Sequence, residues 1–364
     1  MIDWIIAERI AVLVAGRGDA PPPRVDLVAL AEDAQRRVIA YTGLVPGNPL
    51  PPPEGVSRRQ WVASNIRSTR ALIDPVMSQA ARRFGALRTG AQITLGLVLS
   101  SEVGLLVGYL AQRVLGQYEL VLLDEAAQEH PPRLLFVMPN LGQAVASFDA
   151  DETEFMTWVT LHEVTHAVQF AGVPWLQPHL AGLVRELMAN AELRLERRRL
   201  RLPDRRELER LGRAARSGDL IGLVMNPSER AVIDRVQATM AVIEGHAEHV
   251  MDAVAPELLP SLPRLRRSLD QRRRTQSRLS RLVGRLLGLE LKLQQYERGK
   301  QFCDYIVDEQ GHEALARVWR SAEALPTLAE LSEPATWLRR TADADPPGRG
   351  VVAPPSAGRG SGPV

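Results

Sequence analysis

Apolar positions recur at helical spacing through most of the chain and at strand spacing in one short region. The pattern predicts helices over 1–15 and 25–42, separated by a Gly/Pro-rich turn at Gly16–Arg24. A proline-stiffened loop covers 44–54, and helical periodicity resumes through 58–84. A more uniformly apolar helix follows over about 91–115, closed by Gly116. Within it Gly96, Gly104 and Gly108 would let neighbouring helices approach closely. The period changes at Tyr118. Residues 118–123 and 133–138, YELVLL and RLLFVM, are short and rich in strand formers, and they are expected to pair as an antiparallel hairpin or to flank a larger sheet. Pro139 and Asn140 stop the second strand, and a proline there suits an edge position.

Helical spacing then returns. Asp151 with Glu154 three residues on reads as a capping box opening a helix over about 151–172, which Pro174 ends. Further helices are predicted over 178–201 and 204–216, and a long one runs from the Asn226-Pro227-Ser228 start to about Val254. Pro256, Pro260 and Pro263 punctuate a turn before the arginine-rich run 264–287. Another helix covers 289–309, with shorter ones to Arg340. The remainder, 341–364, is dense in Gly, Pro and Ala and is expected to be disordered. The fold class is mainly α (α+β): one domain over 1–340, with a small antiparallel or mixed sheet ahead of the helix at 151–172.

Composition narrows the function classes. With 45% hydrophobic residues the chain can bury a substantial core. Net charge is +2, and of the 45 basic residues only Lys292 and Lys300 are lysines, a skew that reflects GC-rich coding better than selection for phosphate. The run 264–287 carries a leucine stripe and no aromatic residue to stack bases, so it reads as a helix with a solvated arginine face. No nucleic-acid partner is expected. The single cysteine, Cys303, can form no internal disulfide, and the first helix carries Asp3 and Glu8 in place of a basic leader; both fit a cytoplasmic protein. The apolar stretch Ile93–Ala111 is broken by Ser100, Ser101 and Glu102, so a buried helix is expected and no stable membrane insertion.

The chemistry concentrates in FMTWVTLHEVTHAVQF, residues 155–170. His162, Glu163 and His166 form H-E-x-x-H on an otherwise apolar helix. Positions i and i+4 lie on one face, so both imidazoles reach a single ion. Glu163 sits beside that ion without binding it, free to take a proton from a water on the metal. Three ionisable groups on a half-buried helix need such a partner.

A catalytic zinc site usually takes a third protein ligand. Glu186 and Glu192 lie on the next helix, but arginines surround them, and a solvated face explains them. The segment VIEGHAEHVMD crowds Glu244, His246, Glu248, His249 and Asp252 into nine residues of an apolar helix, a density that a divalent cation would compensate. Gly245 is costly mid-helix, roughly 1 kcal/mol against Ala, and makes sense if another backbone passes close by. Glu244 is taken as the third ligand. His246 and His249 stand in reserve, with Glu248 and Asp252 as carboxylates for the surrounding shell.

These residues also carry a resemblance. H-E-x-x-H followed by a distant E-G-x-A is similar to the Glu-zincin metallopeptidases. HEVTHAVQF, EGHAEHVMDAV and LLGLELKLQQYERGKQF together resemble the zincin-like type 2 family, whose members are often labelled as associated with deazaflavin-coenzyme biosynthesis. The resemblance spans roughly 1–340 and leaves the tail outside. It implies a zincin-like domain, Zn²⁺ held by His162, His166 and Glu244, and Glu163 as general base.

The function this implies is a zinc metallopeptidase acting on a peptide or protein substrate. A second donor for the developing oxyanion is wanted, and Tyr296, His246 and His249 are candidates. Strand 133–138, if an edge, would take an extended peptide by strand addition. A zinc hydrolase of a small amide or ester, and a non-catalytic scaffold that binds a protein partner, are the alternatives.

Overall fold

The computed structural model describes residues 2–18, 20–83, 89–119, 131–197, 227–257 and 289–342. The helix expected over 204–216, the arginine-rich run 264–287 and the tail beyond Ala342 lie outside the described residues.

Local chemistry starts and stops the first helices. Asp3 opens α1 (Trp4–Ala15) by accepting from the Ile5 and Ile6 amides, and Asp26 opens α2 (Leu27–Thr42) in the same way. Gly16 and Gly43, with φ of +62° and +69°, end them in a region that a β-carbon disfavours. The chain continues through β1 (Pro53–Val56), α3 (Arg58–Arg83), α4 (Thr89–Ala111), β2 (Gly116–Glu119) and β3 (Arg133–Val137). Next come α5 (Met138–Phe148), α6 (Glu152–Gly172), α7 (Leu176–Arg197), α8 (Pro227–Val254) and α9 (Leu289–Gln310). Three short helices, α10 (His312–Leu315), α11 (Leu328–Ser332) and α12 (Pro334–Ala342), close the described chain. The fold is mostly helical with one small mixed sheet.

That sheet runs β1-β3-β2, with β1 parallel and β2 antiparallel to the central β3. Two expectations are corrected here. β3, residues 133–137, is not an edge: both of its sides are paired, and the outer strands are β1 and β2. β1 begins inside the stretch expected to be loop, with Pro53 at its first position, where no ladder N–H is required. Pro139 does not mark an edge either. It sits in the first turn of α5, where a missing N–H costs nothing, so strand passes directly into helix.

β3 explains why the sheet is so short and still so apolar. Its alternate residues Leu134 and Phe136 face a core built with α2, α5 and α6, while Leu135 and Val137 face one built with α1, α3 and α4. Helices cover both faces, and period-two alternation therefore reads as a continuous apolar run. A third core joins α7, α8 and α9 to the C-terminal helices around Phe302, Trp319 and Trp337.

The α1–α4 pair corrects the expectation of a buried apolar helix. A β-carbon on Gly104 would lie 2.6 Å from the Ala7 carbonyl oxygen, and one on Gly108 2.6 Å from that of Ala11, so the backbones touch through small residues. The contact buries Ala7, Ala11 and Ala15 and turns larger side chains outward: Leu13 is 82% exposed and Leu105 53%. None of the described helices is long and apolar enough to cross a membrane.

Buried Arg58 fixes the strand that will face the metal helix. It donates to the Asn140 amide oxygen (2.6 Å), the Ala15 carbonyl (3.0 Å) and Gln143 (3.0 Å). Asn140 in turn donates to the carbonyls of Ala111 and Val114. The C-terminal ends of α1 and α4 are thereby satisfied, and the chain is held where it enters β2.

Candidate metal centre

Helix α6 begins with Asp151 accepting from the Glu154 amide, and it is buried around most of its circumference, from Phe155 and Met156 to Val168 and Gln169. A helix so enclosed carries polar side chains only where something meets them. His162 and His166 are one turn apart, with their Nε2 atoms 3.1 Å from each other. Helix α8 crosses α6 and adds Glu244, whose Oε2 lies 3.5 Å from Nε2 of His166 and 3.8 Å from Nε2 of His162. The three ligand-type atoms fall within 4.8 Å of one another. Two nitrogens bound to one tetrahedral zinc at 2.0–2.1 Å would lie about 3.3 Å apart, so the donor set fits such an ion.

The close crossing that delivers Glu244 depends on two glycines. A β-carbon on Gly245 would fall 2.1 Å from the Gly299 carbonyl carbon, and one on Gly299 1.8 Å from the Ala241 oxygen. The second backbone that Gly245 implied is α9.

Glu163 lines the same cleft and reaches the sheet. Its Oε2 accepts from the Tyr118 amide of β2 at 3.2 Å, and a β-carbon on Gly116 would stand 2.5 Å from its Cγ. Burial raises the Glu163 carboxyl to about 7, with His166 and the Tyr118 amide pulling down and Glu244 pushing up. A carboxyl held near neutrality can both take and return a proton. Burial, and then the charge on His166, lowers His162 to about 4. Burial also disfavours charge on His166, but the adjacent Glu244 carboxylate outweighs it and lifts that imidazole to about 9.

Around the cluster, Nδ1 of His166 meets Oε1 of Gln169 at 2.9 Å, and the Gln169 amide nitrogen reaches both the Ile243 carbonyl and Nδ1 of His246, each at 2.9 Å. Nδ1 of His162 lies 3.3 Å from the Met251 sulfur. A cleft of about 430 Å³ opens onto the cluster, lined by Gly116, Gln117 and Tyr118 of β2 and by Phe170, Leu180, Met240 and Ile243.

The other candidates from the sequence go elsewhere. His246 is not among the three converging residues: it is 3% exposed, edge-on to Trp319, and held neutral by burial, which lowers it to about 3. His249 points to the opposite side of α8, with Nε2 2.8 Å from the Tyr41 hydroxyl and Nδ1 2.7 Å from Asp304. Asp252 joins that second network through Lys300, which also binds Asp304. Glu186 pairs with Arg235 at 2.6 Å on the surface, and Glu248 does not line the cleft. The side chains of Glu192 and Tyr296 lie outside the described residues. Sequence reading missed Gln169, although it follows His166 by three residues on the same helical face. It also missed Gly116 and the Tyr118 amide, which no local pattern marks.

A helix-borne H-E-x-x-H completed by a glutamate from a second helix, on a mostly helical domain with a small mixed sheet, defines a zincin-like protein. The chain belongs to the zincin-like metallopeptidase family, whose model matches residues 2–338. It is similar to the crystal structure of a "putative hydrolase with a novel fold" from Chloroflexus aurantiacus, with TM-score 0.69 and 29% identity over 94% of this chain and 99% of that one. No curated protein matches. Family and neighbour together support a hydrolase, and the family implies a metal.

Proposed function

We propose that the chain is a zinc-dependent peptidase. The observation that carries this reading is the convergence of His162 Nε2, His166 Nε2 and Glu244 Oε2, with the separately held Glu163 carboxylate beside them. Zinc bound by those three atoms would supply a Lewis-acidic centre and lower the pKa of an attacking water toward neutrality. Glu163 takes the proton of that water and hands it to the departing amine, while the Tyr118 amide fixes which of its oxygens faces the sheet. A structural zinc site has no use for such a base.

The cleft favours an extended substrate. Among the described residues β2 has no strand on its outer side, and an extended substrate would pair there with the peptide groups of Gly116–Glu119 that neither β3 nor Glu163 engages. The apolar wall of Phe170, Leu180, Met240 and Ile243 suits a large apolar side chain next to the scissile bond. Cys303 offers no competing nucleophile, because burial, and then Asp304, raise its thiol far above the normal range.

A cleft of about 430 Å³ also lies within the usual range for small-molecule sites, which keeps a small amide or ester as the second reading. Elemental analysis of wild type and Glu244→Ala, with cleavage of a peptide library by wild type and Glu163→Gln, tests both. One zinc per chain, lost in Glu244→Ala, and cleavage lost in Glu163→Gln are expected. Zinc with no peptide cleavage would move the reading to small substrates; no zinc in the wild type after zinc is supplied would end it.

A further inference from the structure

Gln169 is buried between α6 and α8 and touches polar groups on three sides. An amide side chain can face either way, and its partners decide which. Here one partner leaves no choice: the Ile243 main-chain oxygen, 2.9 Å from the Gln169 nitrogen, can only accept. The NH₂ group therefore faces α8, its second hydrogen goes to Nδ1 of His246, and the oxygen faces Nδ1 of His166. An amide oxygen likewise only accepts, so Nδ1 of His166 must carry a hydrogen. In the neutral ring, the form that binds a metal, the lone pair is then on Nε2, the atom that points at His162 and Glu244. The reversed amide would set its oxygen against the Ile243 oxygen with no hydrogen between them.

Both anchors of the amide, Ile243 and His246, flank Glu244 on α8. The same side chain that chooses the nitrogen of His166 thus ties the helix of the two histidines to the helix of the glutamate. We propose that Gln169 is a positioning residue of this centre: its amide, locked by the Ile243 carbonyl, presents His166 to the ion through Nε2 and holds Glu244 in register with the histidines. The proposal rests on reading His162, His166 and Glu244 as zinc ligands, and goes beyond it in naming what orders them.

The test compares zinc-loaded wild type with Gln169→Leu and Gln169→Glu. Three quantities are measured: zinc affinity by competition with a chromophoric chelator, the His166 ring signals in long-range ¹H–¹⁵N correlation spectra, and the melting temperature. In the wild type the spectra should show Nε2 on the metal and a slowly exchanging hydrogen on Nδ1. Gln169→Leu should lose that protected hydrogen and bind zinc 10- to 100-fold more weakly, the usual effect of removing a group that orients a ligand. Gln169→Glu should keep the Nδ1 hydrogen, since a carboxylate accepts it, yet melt lower, because the new oxygen faces the Ile243 carbonyl. A role in packing alone would lower both melting temperatures and leave the spectra and the affinity per folded molecule unchanged.

Zinc on Nδ1 of His166 in the wild type would overturn the proposal even if neither variant folds. So would zinc binding by Gln169→Leu within twofold of wild type. In that second case the ligand reading survives, whereas a wild type that takes up no zinc removes both.

Discussion

Gly116 and Glu163 occupy one space between them: the glycine leaves open the volume in which the Glu163 side chain turns toward β2, and a β-carbon there would stand 2.5 Å from Glu163 Cγ. Gly116→Ala should therefore displace the carboxylate while leaving His162, His166 and Glu244 in place. Displacing a catalytic group by about 1 Å can cost about a hundredfold in rate. The expected outcome is a fall in peptide hydrolysis of that order with zinc content unchanged, measured by cleavage kinetics and elemental analysis on the same preparation. Equal activity in the two proteins would show that Glu163 has no fixed position to lose.

Glu163 also gives the metal-free protein a pH signature. Its carboxyl is raised from 4.5 to about 7 in the fold, so the folded state binds the proton more tightly than the unfolded state. That contribution is fully present below about pH 4.5 and is lost as pH rises through about 7. Glu163→Gln keeps the shape and cannot ionise. The variant should gain stability relative to wild type between pH 5 and 8, by up to about 3 kcal/mol, since each tenfold change in proton affinity is worth about 1.4 kcal/mol. Urea titrations of the metal-free proteins at pH 5 and pH 8 check this, and a difference independent of pH would contradict it.

The α8–α9 crossing should tolerate no methyl group. Gly299→Ala would set a carbon 1.8 Å from the Ala241 oxygen, and Gly245→Ala one 2.1 Å from the Gly299 carbonyl carbon. Neither obstacle is a side chain that can swing aside. Each substitution should cost about 3 kcal/mol or more, at the upper end of overpacking, and should weaken zinc binding by shifting α8. Denaturant unfolding and chelator competition would report the two effects together.

His249 separates structure from chemistry. It bridges the Tyr41 hydroxyl and Asp304, which tie α2 and α9 to α8. His249→Ala should destabilise the protein by about 1–2 kcal/mol, the cost of losing two hydrogen bonds to half-buried partners, and should keep one zinc per chain. Loss of zinc at constant folded fraction would return His249 to the ligand set.

Much of the site was legible in one dimension. The spacing of His162 and His166 is helical, Glu163 follows the first of them, and an ionisable cluster around Glu244 in an apolar helix asks for a compensating charge. Gly245 was legible too, because a glycine amid strong helix residues signals a close neighbour. The α1–α4 pair shows the limit of the same reasoning. The close approach at Gly104 and Gly108 was legible, but the apolar stretch of α4 was expected to be buried, and its contact through the alanines of α1 leaves Leu105 turned to solvent.

What the sequence determined by itself was therefore what depends on neighbours along the chain: the helices and their caps, the H-E-x-x-H face, and the charge that must be compensated. The tertiary structure alone decided the order of the strands, with β2 and not β3 at the edge, because pairing joins residues far apart and period-two alternation is the same for a centre or an edge. It alone decided which of Glu244, His246 and His249 meets the two histidines. All three lie within six residues on one helix, and successive side chains there point about 100° apart. Only the direction from which α6 crosses α8 turns Glu244 toward His162 and His166, His246 toward Gln169, and His249 toward Tyr41 and Asp304.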